Sequence, residues 1–184
     1  MQIFKITNGI IESEQVRYIP SVNFNNRPRG IIIDLLVIHC ASLPEGEFDN
    51  NNLEQLFSGK VGKNKLIELG LAEDLEVSTH LYIKRNGEIL QFVPFDKRAW
   101  HAGVSSFNGR AACNDFSIGI ELQGTVYTEF TDRQYLSLVK ITKLIQEHYP
   151  EINKNNIKSH SDIAPGRKQD PGPGFNWDFY LSHL

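Results

Sequence analysis

The run IIIDLLVIH, residues 31–39, is aliphatic at every position except Asp34 and the closing His39. A strand with one wet face alternates apolar and polar residues, and this one does not alternate. A continuous β-branched and aliphatic run belongs to a strand covered on both faces, so it predicts a central strand of a layered fold.

The neighbouring segments supply the layers. STHLYIKR (78–85) and EILQFVPF (88–95) flank Asn86-Gly87, the dipeptide best suited to a two-residue type I′ turn, and predict a hairpin. DFSIGIEL (115–122) sets Phe116, Ile118, Ile120 and Leu122 against Asp115, Ser117, Gly119 and Glu121. It predicts a strand with one buried face, and places Glu121 on the same face as a glycine. TDRQYLSLVKITKLIQEHYP (131–150) is the clearest helix. Thr131 and Gln134 form a capping-box pattern, Tyr135, Leu138, Ile141 and Ile145 recur at helical spacing, and Pro150 ends it. NIKSH (156–160) reads as a short strand, and NNLEQLFSG (51–59) and KNKLIELGL (63–71) as short helices or turns. The sum is an α/β fold, a mixed central β-sheet flanked by helices, in one domain over residues 1–184.

Bulk properties narrow the function. With 184 residues, 40% hydrophobic and 22% charged, the chain reads as one ordinary soluble domain. A net charge of −3 gives no electrostatic case for nucleic acid. Cys40 and Cys113 do not make a disulfide framework, and the first residues lack an apolar signal core. No stretch reaches the roughly 18 apolar residues of a membrane span. The expectation is a cytoplasmic protein without nucleic-acid or membrane partners.

The chemistry concentrates in HSDIAPGRKQDPGPGF, residues 160–175. Three prolines and three glycines suit neither helix nor strand, yet His160, Asp162, Lys168 and Asp170 fall within it. Of six histidines, His39 and His160 each close an apolar strand and open a turn-rich loop. Two imidazoles and one carboxylate with an open fourth position form the donor set of a catalytic zinc site. Asp170 can supply the carboxylate, and a proline-stiffened loop would hold it there at small entropic cost. Asp162 competes with Asp170, and Cys40 competes with His39. Glu121 reads equally as a general base or as a solvated strand residue or one half of an ion pair. Lys168 reads as a surface lysine before it reads as an oxyanion partner. Trp100, in AWHAGVSS (99–106), offers a flat face to a sugar, or to the core. His80 sits within a strand, and His148 and His183 suit a helix end and the chain end.

Four blocks, LLVIHCASLPEGEF, VSTHLYIKRNGEILQFVPFDKRAWHAGVSSFNGR, CNDFSIGIELQGT and HSDIAPGRKQDPGPGF, resemble the AmpD-type N-acetylmuramoyl-L-alanine amidases of cytoplasmic peptidoglycan recycling. The resemblance runs in order from about Asn26 to Trp177. It implies the amidase/peptidoglycan-recognition-protein-like fold, a monomer, one zinc ion per chain, and an anhydro-muropeptide substrate. By the same resemblance the metal ligands are His39, His160 and Asp170, and Glu121 activates the attacking water. Lys168 shares the oxyanion with the metal, while Trp100, His101 and Arg110 contact substrate. Two departures stand out: Glu76 and Ala112 occupy positions where the family carries arginines. Arginine is the natural clamp for a peptide carboxylate, so Arg85, Arg98 and Arg110 are the candidate replacements. The same chemistry on intact cell wall, and a non-catalytic muropeptide-binding module, are the two rival readings.

Overall fold

A computed structural model describes residues 4–184 of the chain. A hairpin of β1 (Lys5–Thr7) and β2 (Ile10–Glu12) precedes β3 (Val16–Tyr18) and β4 (Phe24–Asn26). Then come β5 (Leu35–Ala41), α1 (Asn52–Ser58) and α2 (Lys63–Glu68). A second hairpin joins β6 (Leu81–Ile83) to β7 (Ile89–Gln91). β8 (Lys97–Ala99) pairs with β4, and β9 (Ser106–Phe107) with β10 (Arg110–Ala111). β11 (Ser117–Gln123), α3 (Asp132–His148), β12 (Ile157–Ser159), α4 (His160–Ile163) and α5 (Trp177–Ser182) complete the chain.

The central sheet has the order β12-β5-β11-β6-β7-β3. All its pairs are parallel except the β6–β7 hairpin, so the sheet is mixed. Leu35, Leu36, Val37 and Ile38 of β5 are each 0% exposed, as a strand covered on both faces requires. One face carries Leu36, Ile38, Ile118 and Ile120 against Leu138, Ile141 and Ile145 of α3 and Tyr180 of α5. On the other, Tyr82, Leu90 and Phe92 pack on Leu53, Leu56 and Phe57 of α1 and Leu66 of α2. Burying one such aliphatic side chain stabilises the fold by about 1.5–3 kcal/mol. The capping box of α3 is formed: Gln134 N donates to Thr131 Oγ1 at 3.2 Å, and Thr131 N donates to Gln134 Oε1 at 3.1 Å. Gln134 Nε2 also donates to Gln123 O and Ile83 O, which ties the start of α3 to the ends of β11 and β6. No helix among the described residues is long and apolar enough to cross a membrane.

Four local expectations are corrected. Residues 31–34 lie outside β5, because Asp34 receives Arg110 Nη2 on both carboxylate oxygens at 2.8 and 2.7 Å. The strand instead runs past His39 to Ala41. β11 is buried at all positions rather than on one face. The hairpin turn is not type I′, which needs a positive φ at Asn86; here only Gly87 has one, at +85°. Gly87 N donates to Lys84 O and Lys84 N to Glu88 O, the pattern of a three-residue loop closed by a glycine bulge. Finally, residues 160–163 form a helical turn. Ser159 Oγ accepts Asp162 N and Asp162 Oδ2 accepts Ser159 N, both at 2.9 Å.

Candidate active site

Parallel strands bring their carboxyl ends to one edge, which is where open α/β sheets bind ligands. The register pairs His39 of β5 with Glu121 of β11. Their neighbours Ile38 and Ile120 face α3, so His39 and Glu121 stand side by side on the opposite face. β12 pairs with the other edge of β5 and delivers His160 directly after Ser159. The loop then folds back until Asp170 O accepts Ser161 N at 3.1 Å. Two of its glycines are steric requirements. A Cβ on Gly172, where φ is +76°, would lie 2.4 Å from Val126 O, and one on Gly174 would lie 2.3 Å from Thr128 O.

Three donor atoms converge. His39 Nδ1 lies 2.9 Å from His160 Nδ1 and 3.1 Å from Asp170 Oδ2, and His160 Nδ1 lies 3.0 Å from the same oxygen. His39, His160 and Asp170 thus form a group able to hold a metal ion. The outward nitrogens assign the tautomers. His160 Nε2 lies 3.1 Å from Ala102 O, so it carries the proton and leaves the Nδ1 lone pair free. His39 Nε2 lies 2.9 Å from His101 Nδ1, and His101 Nε2 lies 3.1 Å from Ser117 Oγ. Burial pushes His39 down to about 4, against the pull of Asp170, so its ring is neutral. Burial alone would raise Asp170, but hydrogen bonds from His160 and His39 outweigh it and hold the carboxyl well below its ordinary range. Two imidazole nitrogens and one carboxylate oxygen make a donor set for a divalent metal ion.

Glu121 is 9% exposed, and its Oε2 is a buried polar atom without a partner. Burial first, then the Asp170 charge, raises its pKa well above 4.5, with Lys168 opposing. A carboxyl so placed is suited to receive and release a proton. Lys168 is exposed on the same loop. Neither rival joins the group of His39, His160 and Asp170. Asp162 is spent on the Ser159 cap and lies exposed. Cys40 packs among the residues of the α3 face, and burial together with Glu121 and Asp170 pushes its thiol well up.

The remaining expected residues fall differently. Trp100 Nε1 donates to Asn25 Oδ1 at 3.2 Å, leaving the ring partly exposed. His101 has both ring nitrogens engaged, one of them by His39, so it has no polar ring atom left for a sugar. Arg110 is committed to Asp34 and stacks over Phe116 at 3.9 Å. Arg98 is paired with Asp115, and Arg85 donates to Glu129 O. Two residues escaped the sequence reading. Ser117 carried no signal of its own. Arg167 clamps the loop of residues 102–104 to the 160–175 loop by donating to Ala102 O and Val104 O at 2.6 and 2.7 Å.

A family model described as N-acetylmuramoyl-L-alanine amidase matches residues 26–173. The chain belongs to this family. It is 49% identical over 163 residues, 89% of this chain and 87% of the relative, to the 1,6-anhydro-N-acetylmuramyl-L-alanine amidase AmpD of Citrobacter freundii. It is also 49% identical over 161 residues, 88% and 87%, to the protein of that name from Escherichia coli. A selenomethionine crystal structure of AmpD superposes with a TM-score of 0.91 at 45% identity, covering 97% of this chain and 98% of that one. The amidase AmiD of E. coli, in complex with the substrate anhydro-N-acetylmuramic acid-L-Ala-D-γ-Glu-L-Lys, gives 0.65 at 28% identity, covering 98% and 65%. The protein is a hydrolase of the amidase class, and the expected mixed-sheet fold is the one observed.

Proposed function

We propose that the protein hydrolyses the amide between the lactyl group of 1,6-anhydro-N-acetylmuramic acid and L-alanine, using one zinc ion held by His39 Nδ1, His160 Nδ1 and Asp170. The observation that carries this is the convergence of those three donors within 3.1 Å, beside Glu121 with its buried, unpartnered Oε2. The relatives at 49% identity named for the anhydro substrate support the sugar assignment.

Zinc, when bound, polarises the scissile carbonyl and makes nearby water more acidic. Glu121 takes the proton of the attacking water as its oxygen bonds to the carbonyl carbon, and then passes that proton to the leaving nitrogen. The C–N bond breaks, releasing the free peptide and the anhydro-muramic acid. Lys168 offsets the negative charge that gathers on the carbonyl oxygen, and Trp100 offers its face to the sugar. His101 is not given the substrate role that the resemblance implies, since both its ring nitrogens are engaged, whereas Arg110, partly exposed and bound to Asp34 through Nη2 alone, keeps it. With Glu76 and Ala112 in place of arginines and Arg98 paired with Asp115, Arg85 and Arg110 are the candidates left for the stem-peptide carboxylates. We assign the reaction to cytoplasmic recycling on the resemblance of the four sequence blocks.

The test is digestion of 1,6-anhydro-muramoyl tripeptide and of the reduced, non-anhydro muropeptide, followed by mass spectrometry with and without chelator. Peptide released from the anhydro substrate alone, and lost with chelator, is the expected result. Cleavage of both substrates moves the protein to a wall-lytic amidase. No cleavage by zinc-loaded protein overturns the roles given to Glu121 and Lys168.

A further inference from the structure

His101 lies behind His39, away from the point where the three donors meet. The two rings meet edge to face, 5.0 Å apart at 83°. The His101 backbone is fixed, since Asn114 Oδ1 accepts His101 N and Ala102 N at 3.1 and 2.8 Å. Gly119 on β11 makes room for the ring, because a Cβ there would sit 2.5 Å from His101 Cγ. Such a fit is specific to a ring in this position.

The metal-side nitrogen of His39 has a competitor for its lone pair. Asp170 Oδ2, 3.1 Å away, would draw a proton onto Nδ1 and close that atom to a cation. An acceptor at the opposite nitrogen decides which tautomer prevails. We propose that His101 is a positioning residue for His39. Its Nδ1 accepts the His39 Nε2–H, while Ser117 Oγ accepts the His101 Nε2–H and keeps Nδ1 the acceptor. The His39 Nδ1 lone pair is thereby turned toward His160 Nδ1 and Asp170. Such partners behind a ligand set ring orientation and donor strength. The inference rests on the metal reading of His39, His160 and Asp170, and gives His101 a role that acts through His39.

The experiment compares the parent, His101→Phe, His101→Gln and Ser117→Ala. Zinc affinity is read by competition with a chromophoric chelator, and the His39 ring tautomer by ¹⁵N shifts in metal-free protein. His101→Phe keeps a ring over Gly119 but offers no acceptor. It should weaken zinc binding about 10- to 100-fold and move the His39 proton to Nδ1. His101→Gln, whose Oε1 can accept, should recover part of both. Ser117→Ala should shift both readouts the same way by less, and it decides the matter if His101→Phe fails to fold. With zinc saturating, KM should stay within about twofold of the parent while kcat falls. Unchanged zinc affinity and tautomer in the folded variants, or a rise in KM alone, would overturn the proposal in favour of a sugar contact. A parent that takes up no zinc overturns the metal reading instead, and the His39 tautomer in that protein still decides the role of His101.

Discussion

Glu121→Gln should make the metal-free protein harder to melt while removing its catalysis. The carboxyl is nine-tenths buried, its Oε2 has no partner, and burial with the Asp170 charge raises its pKa well above 4.5. Between the ordinary carboxyl range and that raised value, the folded state binds a proton that the unfolded chain has released. Stability contributed by this group is therefore complete below about pH 4.5 and is lost as pH rises through the folded pKa. In that window the loss is about 1.4 kcal/mol per pH unit. For a domain of this size, 1 kcal/mol moves Tm by about 2–4 °C. The glutamine variant does not titrate, so its Tm advantage over the parent should grow by roughly 3–6 °C per pH unit above about pH 5, until the folded carboxyl has ionised. Circular dichroism melts of both proteins at pH 5, 6 and 7 in chelator read this directly. With zinc restored, kcat should fall about 10²- to 10⁴-fold, the usual contribution of a positioned general base. A Tm difference that stays flat or shrinks with pH, or a kcat within tenfold of the parent, would refute the reasoning.

Asp170→Ala should abolish metal uptake and activity, while Asp162→Ala should keep both. The latter loses the Ser159 cap and melts about 2–4 °C lower, as read by metal analysis and melting curves. Lys168→Met should lower kcat about 10²- to 10³-fold with little change in Tm, since the side chain is exposed. Gly174→Ala should push the 170–176 loop off Thr128 O and displace Asp170. Weaker zinc binding and a Tm drop of at least about 4 °C are expected.

The sheet was legible where burial dictated composition. The unbroken run at 35–38 announced a doubly covered strand, and the Thr131–Gln134 box placed the start of α3 to the residue. The group His39, His160 and Asp170 was legible only in part: the stiff polar loop and the strand ends pointed to it with Asp162 and Cys40 as rivals, and the family resemblance chose among them. What escaped was decided by partners far along the chain. Asp34 cuts β5 short through Arg110, 76 residues away, which no local window contains. The strands of residues 5–26 are only three residues long and too short for periodicity to speak. The helical turn at residues 160–163 went unread, because its Ser159–Asp162 capping box was passed over in favour of the prolines and glycines that follow. His101 was placed on the substrate side by the family resemblance alone. The signal for its placement was Gly119, a missing side chain opposite a ring, and only the sheet register turns that into a contact.

The most direct measurement is anomalous diffraction at the zinc edge from crystals of active, zinc-loaded protein. The account predicts one peak per chain, about 2.0–2.2 Å from His39 Nδ1, His160 Nδ1 and an Asp170 oxygen, with the Glu121 carboxyl facing the open side. A peak on other residues, or none in crystals of protein that cleaves muropeptides, would contradict it.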